Sequence, residues 1–561
     1  MESVKLWDIA PGYDLIEEVD VPEMHSWFLD VTHSIPPQTP LFAWFWTRYC
    51  SHGLQYASDY FSFPTCKGSE MRNKNGYSYN AFHIVRDEEE VKRREVKFRE
   101  AMIPWIQNFD GLWDGYKRKL LDLYEKLKAL DVDKASNAEL YQHSCDLIDA
   151  YRTVFEIHFL GMQSSFNGWV MFENLCKERF GITDQDPHFQ NLFVGFDSKV
   201  YQVDKQLSEL GQVAAEMGLA NVFKENEAKA IIPKLEQMTK GQEWLKKFNE
   251  FLRVEGWRMV RMIDITEPYW LEDPSIPINI VKQFMDAGYH LEKIRKELVR
   301  KREEAVGAIL EKVRPDEKER VRLLIRLGQK AGIYSEEHDL YCELYLHALL
   351  RRGYLAIGRR LAQNGSIDQE KDVLFLNPDE IGRALVVPEH HDLRFITKRR
   401  RAEWEEAKTM TPPPIYTDRG SFEEAVGMDL MPTRDAILIK LIIGELPTVK
   451  PELKADLYGL CASQGIAEGP ARVVMDYGQL GAVETGDILV CPTTNPAWIP
   501  VFSKIKGIIT DGGGVLSHAA IVAREYGLPA VVNTREATML IKTGQKIKVD
   551  GNSGAVFILH E

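Results

Sequence analysis

Basic charge is in short supply in this chain. Against 84 Asp and Glu stand 70 Lys and Arg, and the formal net charge of the 561 residues is −14. That balance argues against nucleic acid or an anionic membrane surface as the main partner, because polyanions are bound through a surplus of cations. Long hydrophobic runs are missing as well: none reaches the ~20 residues of a transmembrane helix. The N-terminus has no basic stretch followed by an apolar one. Cysteine is sparse, and the seven (Cys50, Cys66, Cys145, Cys176, Cys342, Cys461, Cys491) are scattered without CxxC spacing. This excludes a disulfide framework or a cysteine-rich zinc site and suits thiols kept reduced. No GxxxxGK[ST] occurs, so a phosphate-cradling loop of that type is excluded. The expectation is a soluble cytoplasmic protein of roughly two to four domains with ample capacity for buried cores.

Two regimes are present. From about residue 85 to 365, glycine is rare and apolar residues recur every three or four positions among charges, as over 87–102, 114–130, 137–159 and 289–313. That is the spacing of amphipathic helices. From about residue 455, short apolar runs (471–475, 487–490, 507–510) alternate with turn residues, the pattern of strands in an α/β module. Between the regimes, Leu446-Pro447-Thr448-Val449-Lys450-Pro451 reads as a hinge with two prolines, and Met410-Thr411-Pro412-Pro413-Pro414 marks a further break. The fold class expected is multidomain: a mostly α-helical body followed by a C-terminal α/β domain. The expected divisions are an N-terminal segment 1–84, a helical domain 85–440, a linker 441–455 and an α/β domain 456–561.

The most informative run is Thr510-Asp511-Gly512-Gly513-Gly514-Val515-Leu516-Ser517-His518-Ala519-Ala520, continuing through Arg524-Glu525-Tyr526-Gly527-Leu528-Pro529-Ala530. Three consecutive glycines let a backbone approach a phosphate closely. Ser517 is a good N-cap for a helix from Ala519 to Tyr526, which Gly527 and Pro529 stop. His518 then lies where unpaired N–H groups and the positive end of the helix dipole converge, a field that keeps the ring neutral and nucleophilic. The run suits a histidine that carries a phosphoryl group, with Gly512, Gly513, Gly514 and Ser517 around the phosphate and Arg524 either fixing the loop or contacting the phosphate.

This string resembles the swivelling phosphohistidine domain of the phosphoenolpyruvate-utilising enzymes. Segments 462–469, 492–498, 543–544 and 549–554 resemble that domain's other recurrent parts, so the likeness extends in order over about a hundred residues. Leu516 stands where the family often has threonine, which removes one hydroxyl from the loop. Less sharply, 335–380 and His33–Leu41 are similar to the substrate-binding half of the rifampin phosphotransferase and phosphoenolpyruvate synthase branches. The resemblance implies a mobile carrier domain, a helical acceptor-binding body and Mg²⁺ near the transferred phosphoryl group. Neither an ATP-grasp region nor a phosphoenolpyruvate barrel is recognisable. ATP held by a separate ATP-grasp-like nucleotide-binding subunit is therefore the expected donor. That combination matches the family's phenol-phosphorylating branch, so the expected reaction is transfer from His518 to the hydroxyl of a small aromatic acceptor. Two alternatives stay open: the acceptor half of a drug- or carboxylate-directed phosphotransferase, and a non-catalytic phosphohistidine carrier or regulator.

For the acceptor, the aromatic cluster Phe42, Trp44, Phe45, Trp46, Tyr49, Tyr56, Tyr60, Phe61 and Phe63 offers either core packing or a flat apolar pocket. Trp44 and Trp46 are the candidate pocket residues. His338, beside Glu337, is the candidate acceptor base, and Arg351, Arg352 and Arg359 are candidate phosphate-facing cations. His33, ahead of a proline-rich turn, reads as a structural histidine. The sequence leaves the metal ligands unassigned.

Overall fold

The computed structural model of the protein describes residues 26–182, 186–261, 264–287, 291–413, 415–417, 451–475, 477–494, 498–502 and 504–559. Of the expected hinge, Leu446 to Lys450 lies outside the described residues, and Pro451 opens a short helical turn, Pro451–Leu453. The chain forms two compact units, and neither is one consecutive stretch. The first comprises 1–167, 262–266 and 341–443, and the second 168–261, 267–340 and 444–561. The single helical domain expected over 85–440 is thus shared between two units.

In the first unit, β1 (Ser26–Leu29), β2 (Cys66–Lys74), β3 (Tyr77–Ile84) and β4 (Ile415–Thr417) form an antiparallel sheet in the order β2-β3-β1-β4. Trp27, Tyr77, Tyr79 and Ala81 of this sheet pack with Ala407, and the Tyr77 hydroxyl donates to the Ala407 carbonyl at 2.8 Å. The helix Pro40–Phe61 begins with proline at its first turn, where a missing N–H costs nothing, and ends at Ser62 with φ of 54°. Fifteen of its 22 residues are buried, including Phe42, Trp44, Phe45, Trp46, Tyr49 and Phe61. Most of the aromatic cluster is therefore core, while Tyr56 and Tyr60 are exposed. The stretches 87–102 and 114–130 join into one helix, Glu88–Lys128, interrupted at Asn108 four residues after Pro104. The helix expected over 137–159 runs on to Phe180.

The second unit combines a helical layer with the α/β module. Helices Lys199–Glu216, Thr239–Glu255 and Ser275–Ala287 enclose a core that includes Leu207, Trp244, Phe248, Ile278 and Val281. In the module, β5 (Leu457–Tyr458), β6 (Leu460–Ser463), β7 (Ile466–Val473), β8 (Ile488–Cys491), β9 (Gly507–Thr510), β10 (Ala530–Val532), β11 (Lys546–Asp550) and β12 (Ala555–Ile558) form one sheet. Their order is β5-β12-β11-β7-β8-β9-β10-β6. Neighbours from β7 to β10 are parallel, and the flanking pairs are antiparallel. Every residue of β8, β9 and β10 is buried, as expected for parallel strands covered on both faces, while β7 alternates inward and outward. The module's core extends to Val200 and Phe284 of the helical layer. Module and layer thus share one apolar interior.

Candidate functional site

The loop 511–517 is tied down by its own backbone. Asp511 N–H donates to the Cys491 carbonyl (3.1 Å), Gly512 N–H to that of Pro492 (2.9 Å) and Ser517 N–H to that of Gly514 (3.0 Å). Thr510 Oγ1 donates to the Gly512 carbonyl at 2.6 Å. Gly513 has φ of 101°, and a Cβ there would lie 2.8 Å from Ser517 Oγ. Only glycine takes this conformation and this closeness without strain. The loop delivers His518 to the first position of the helix His518–Tyr526, which Gly527 closes with φ of 66°.

His518 is 5% exposed. Its Nδ1 lies 2.9 Å from Thr494 Oγ1, whereas its Nε2 is buried without a hydrogen-bond partner among the described residues. In the tautomer that donates from Nδ1 to Thr494, Nε2 bears the lone pair. Burial lowers the ring's pKa to about 3, so it is neutral over the working range. The neutrality expected from the helix end is therefore present, but its cause is desolvation. Ser517 occupies the N-cap position without a side-chain capping bond, and its Oγ is buried and unpartnered among the described residues. Ser517 Oγ and His518 Nε2 are orphaned polar atoms of consecutive residues after a glycine loop, groups of the kind that hold a phosphoryl group.

For Arg524 the sequence left two roles open, fixing the loop or contacting the phosphate. Its two terminal nitrogens donate to the carbonyls of Ala462 (2.9 Å) and Val515 (2.7 Å). The guanidinium is buried, which brings its pKa down to about 10. Arg524 therefore fixes the loop against β6, and its hydrogen bonds go to backbone, not to the phosphate position. Gly513 packs closely against Ser517, the residue immediately before His518. Thr494 lies within the segment 492–498, and its hydroxyl becomes meaningful only once the chain leaving β8 brings it against the helix start.

Around the module, Gln190 Nε2 donates to the Cys461 carbonyl (2.7 Å), Gly195 N–H to Glu525 (2.8 Å) and Ser335 Oγ to the Leu516 carbonyl (2.9 Å). Nearby Glu336 is buried, and neither carboxylate oxygen has a hydrogen-bond partner among the described residues. Burial first, then the charges of Glu525 and Asp204, raise its pKa to about 8 against the opposing Arg258 and Arg524. Glu336 is protonated at neutral pH in this arrangement.

The acceptor-side candidates are dispersed. His338 belongs to the second unit and ends the helix Lys318–His338. Its Nδ1 donates to the Tyr334 carbonyl at 2.9 Å, its Nε2 faces Asp339 Oδ1 at 3.1 Å, and the ring stacks on Tyr334. With both nitrogens engaged, the ring serves the helix end and is not an open base. Trp44, Trp46, Arg351 and Arg352 belong to the first unit. Arg351 is buried and donates to the carbonyls of Ile265 (2.6 Å) and Thr266 (3.1 Å). Arg352 donates to that of Leu130 (2.6 Å). Arg359 pairs with Asp133 and Glu370. These three cations clamp backbone and carboxylates of their own unit. Trp44 lies under Arg48 at 4.4 Å, and Trp46 stacks on His33 at 4.3 Å. His33, read as structural from sequence, donates from Nδ1 to Asp30 at 2.9 Å and points Nε2 toward the buried Glu343, 4.0 Å away. Neither Asp30 nor Glu343 carried a signal in the sequence.

Comparison with known proteins bears on both halves of the second unit. Residues 483–554 match the model of the PEP-utilising enzyme mobile domain, and residues 158–336 match the rifampicin phosphotransferase fourth domain. The uncharacterized phosphotransferase YvkC of Bacillus subtilis is 29% identical over 82% of this chain and 51% of its own length. A rifampicin phosphotransferase of Streptomyces sviceus is 31% identical over 63% of this chain and 40% of its own. A probable phosphoenolpyruvate synthase of Pyrococcus horikoshii is 48% identical over 19% of this chain and 13% of its own. The chain thus spans about half the length of the first of these relatives and less of the other two.

Proposed function

We propose the following reading for a chain that belongs to the phosphoenolpyruvate-utilising enzyme family: it carries a phosphoryl group on His518 Nε2 and passes it to the hydroxyl of a small aromatic compound. The observation that carries this reading is the His518 ring itself. It is neutral, held through Thr494, and keeps one nitrogen without a partner among the described residues, as does the hydroxyl of Ser517, the residue before it in a glycine-rich loop. A neutral imidazole with one ring nitrogen left without a hydrogen-bond partner is suited to form and release an N–P bond. The donor in this reading is ATP, bound by a separate ATP-grasp-like subunit. Mg²⁺ would neutralise charge on the phosphoryl oxygens during transfer. The organisation resembles the catalytic subunit of phenylphosphate synthase, and the aromatic surroundings of the first unit support a planar acceptor.

Similarity to rifampicin phosphotransferases over 63% of the chain favours one second reading, a drug-sized hydroxyl acceptor. Screening phenols against polyketide-like alcohols and carboxylates separates the two.

The test is acid-labile phosphate, read by intact mass after incubation with ATP and Mg²⁺, with and without a nucleotide-binding partner. Wild-type protein is expected to gain one phosphoryl group that phenol then discharges. His518→Gln is expected to gain none while keeping its circular dichroism and melting temperature. Labelling retained in His518→Gln would rule out the covalent route.

A further inference from the structure

The first unit contains a buried polar cluster that phosphoryl carriage does not use. Asp30 caps the short helix Val31–Ser34 and accepts a hydrogen bond from His33 Nδ1, with both carboxylate oxygens within 3.0 Å of that nitrogen. The His33 ring stacks on Trp46, and its Nε2 lies 4.0 Å from Glu343 Oε1. His158 Nδ1 lies 3.8 Å from the same oxygen. Glu343 is 1% exposed, and its Oε2 has no hydrogen-bond partner among the described residues. It sits in a π-helical stretch, Asp339–Leu344, between the helices Lys318–His338 and Tyr345–Gln363. Such stretches occur mostly as brief interruptions that re-aim side chains at functional positions. Around the cluster, Trp46, Phe155 and Tyr151 supply ring faces and edges.

A purely structural cluster satisfies its polar atoms, because a buried carboxylate oxygen without a donor costs free energy. Here Glu343 Oε2 lacks one. An oxygen at hydrogen-bond distance, about 2.8 Å, from both Glu343 Oε1 and His33 Nε2 would sit at the apex of a triangle whose base is their 4.0 Å separation. A hydroxyl placed there meets a carboxylate on one side and an imidazole on the other, next to aromatic rings.

Deepening the reading proposed above, and resting on it, we infer that Glu343 removes the proton from the hydroxyl of an aromatic acceptor while His33, held by Asp30, faces the oxyanion that forms. The O–H bond breaks and its proton passes to the Glu343 carboxylate. The freed electron pair forms the O–P bond as the N–P bond to His518 breaks, and that bond's pair returns to the ring nitrogen. No other reactant is needed.

The titration of the cluster agrees. Burial, with the Asp30 charge adding and the His33 charge opposing, raises the Glu343 pKa to about 7, where a general base is best matched to neutral pH. Burial alone would lower the His33 pKa, but the charge and hydrogen bond of Asp30 and the charge of Glu343 outweigh it and raise it above 6.5. His33 is thereby disposed to be cationic while Glu343 ionises. The other titratable groups facing the cluster include His158, the Cys50 thiol and the Tyr151 phenol. Burial pushes the thiol and the phenol well above their ordinary values, so both stay neutral.

The probe that reads proton transfer directly is 4-nitrophenol, whose phenolate absorbs in the visible. Binding to the full chain is followed by quenching of tryptophan fluorescence, and ionisation by absorbance at fixed pH near 7. The bound probe is expected to show roughly tenfold more phenolate relative to phenol than the free probe. Glu343→Gln is expected to return the ratio to its free-solution value with binding retained. Asp30→Asn, which keeps the helix cap, is expected to lower the ratio and provides a check that does not depend on altering Glu343. A free-solution ratio in the wild type, or a wild-type ratio in Glu343→Gln, overturns the inference. Failure of 4-nitrophenol to bind also overturns it. The acid-labile phosphate on His518 is measured separately. A failure of the carrier reading therefore appears as an unlabelled His518, whatever the probe shows.

Discussion

Thr494 and His518 are joined by one hydrogen bond of 2.9 Å, and in the proposed reading Thr494 accepts it and leaves Nε2 to react. Thr494→Val keeps the volume and removes the acceptor, so the ring loses its tautomer control and part of its orientation. The expected result is a roughly tenfold slower gain of acid-labile phosphate at unchanged melting temperature, the kinetic equivalent of one ordinary hydrogen bond. Burial holds the His518 pKa near 3, below that of a free imidazole. Labelling of His518 is accordingly expected to stay level from pH 7 to 5, where an exposed histidine would lose most of its nucleophile to protonation. A fall with a midpoint near 6.5 would mean that the ring reacts from a solvated position. Arg524 belongs to the same neighbourhood but acts on the loop. Arg524→Met leaves the carbonyls of Ala462 and Val515 without their donor. A loss of about 2–4 kcal/mol in the urea stability of the second unit is expected.

At the level of elements, the helix Pro40–Phe61 shows how a polar-looking detail governs an apolar interface. Gly53 lies where an added Cβ would come within 2.6 Å of both the Phe155 carbonyl oxygen and the Phe159 ring on the helix Asn137–Phe180. The backbone carbonyl cannot yield as a flexible side-chain end would. Gly53→Ala is expected to cost about 1–3 kcal/mol through overpacking, despite the higher helix propensity of alanine, and a lower urea midpoint would show it. Helix ends were legible where a stop residue was present, as Gly527 ends the helix His518–Tyr526. The continuity of Glu88–Lys128 was not legible. Pro104 and Gly111 signal a break, yet the helix is interrupted only at Asn108 and resumes, because Trp105, Phe109 and Trp113 all bury on one side. Packing of those rings overrides the local signals.

On the scale of the whole molecule, Asp204, Glu336 and Glu525 of the second unit are carboxylates whose pKa values lie well above the usual range. Burial is the first cause in each case, raising Asp204 and Glu336 to about 8 and Glu525 to about 7. Acids whose folded pKa lies above the unfolded value bind more protons when folded, so their contribution favours folding at low pH. It diminishes as pH rises from about 4 toward 8, the window between the unfolded and folded values. The melting temperature of the second unit is therefore expected to fall between pH 5 and 8.5. Glu336→Gln, which cannot ionise, should flatten that slope and recover stability on the order of a few kcal/mol at pH 8.5. An unchanged slope in Glu336→Gln would mean that the carboxylate reaches solvent. The interleaving of 168–261, 267–340 and 444–561 in one unit is what brings Glu336, on a helix, into the electrostatic surroundings of Arg524 and Glu525 in the α/β module.

The sequence by itself determined the local build of the α/β module: a glycine loop, a histidine at a helix start and alternating short strands are all local patterns, decided by neighbouring residues. It likewise determined that the body is helical, since periodicity is local too. Tertiary structure decided everything that depends on residues far apart in the chain. Thr494 meets His518 across 24 positions, and Glu343 meets His33 across 310. Arg351, Arg352 and Arg359 resemble anion-binding cations in the sequence, and the carbonyls and carboxylates that occupy them lie on distant segments. The physical reason is that the worth of a charge, and the pKa of a base, are set by burial and by partners. Both are fixed only when separate segments pack together.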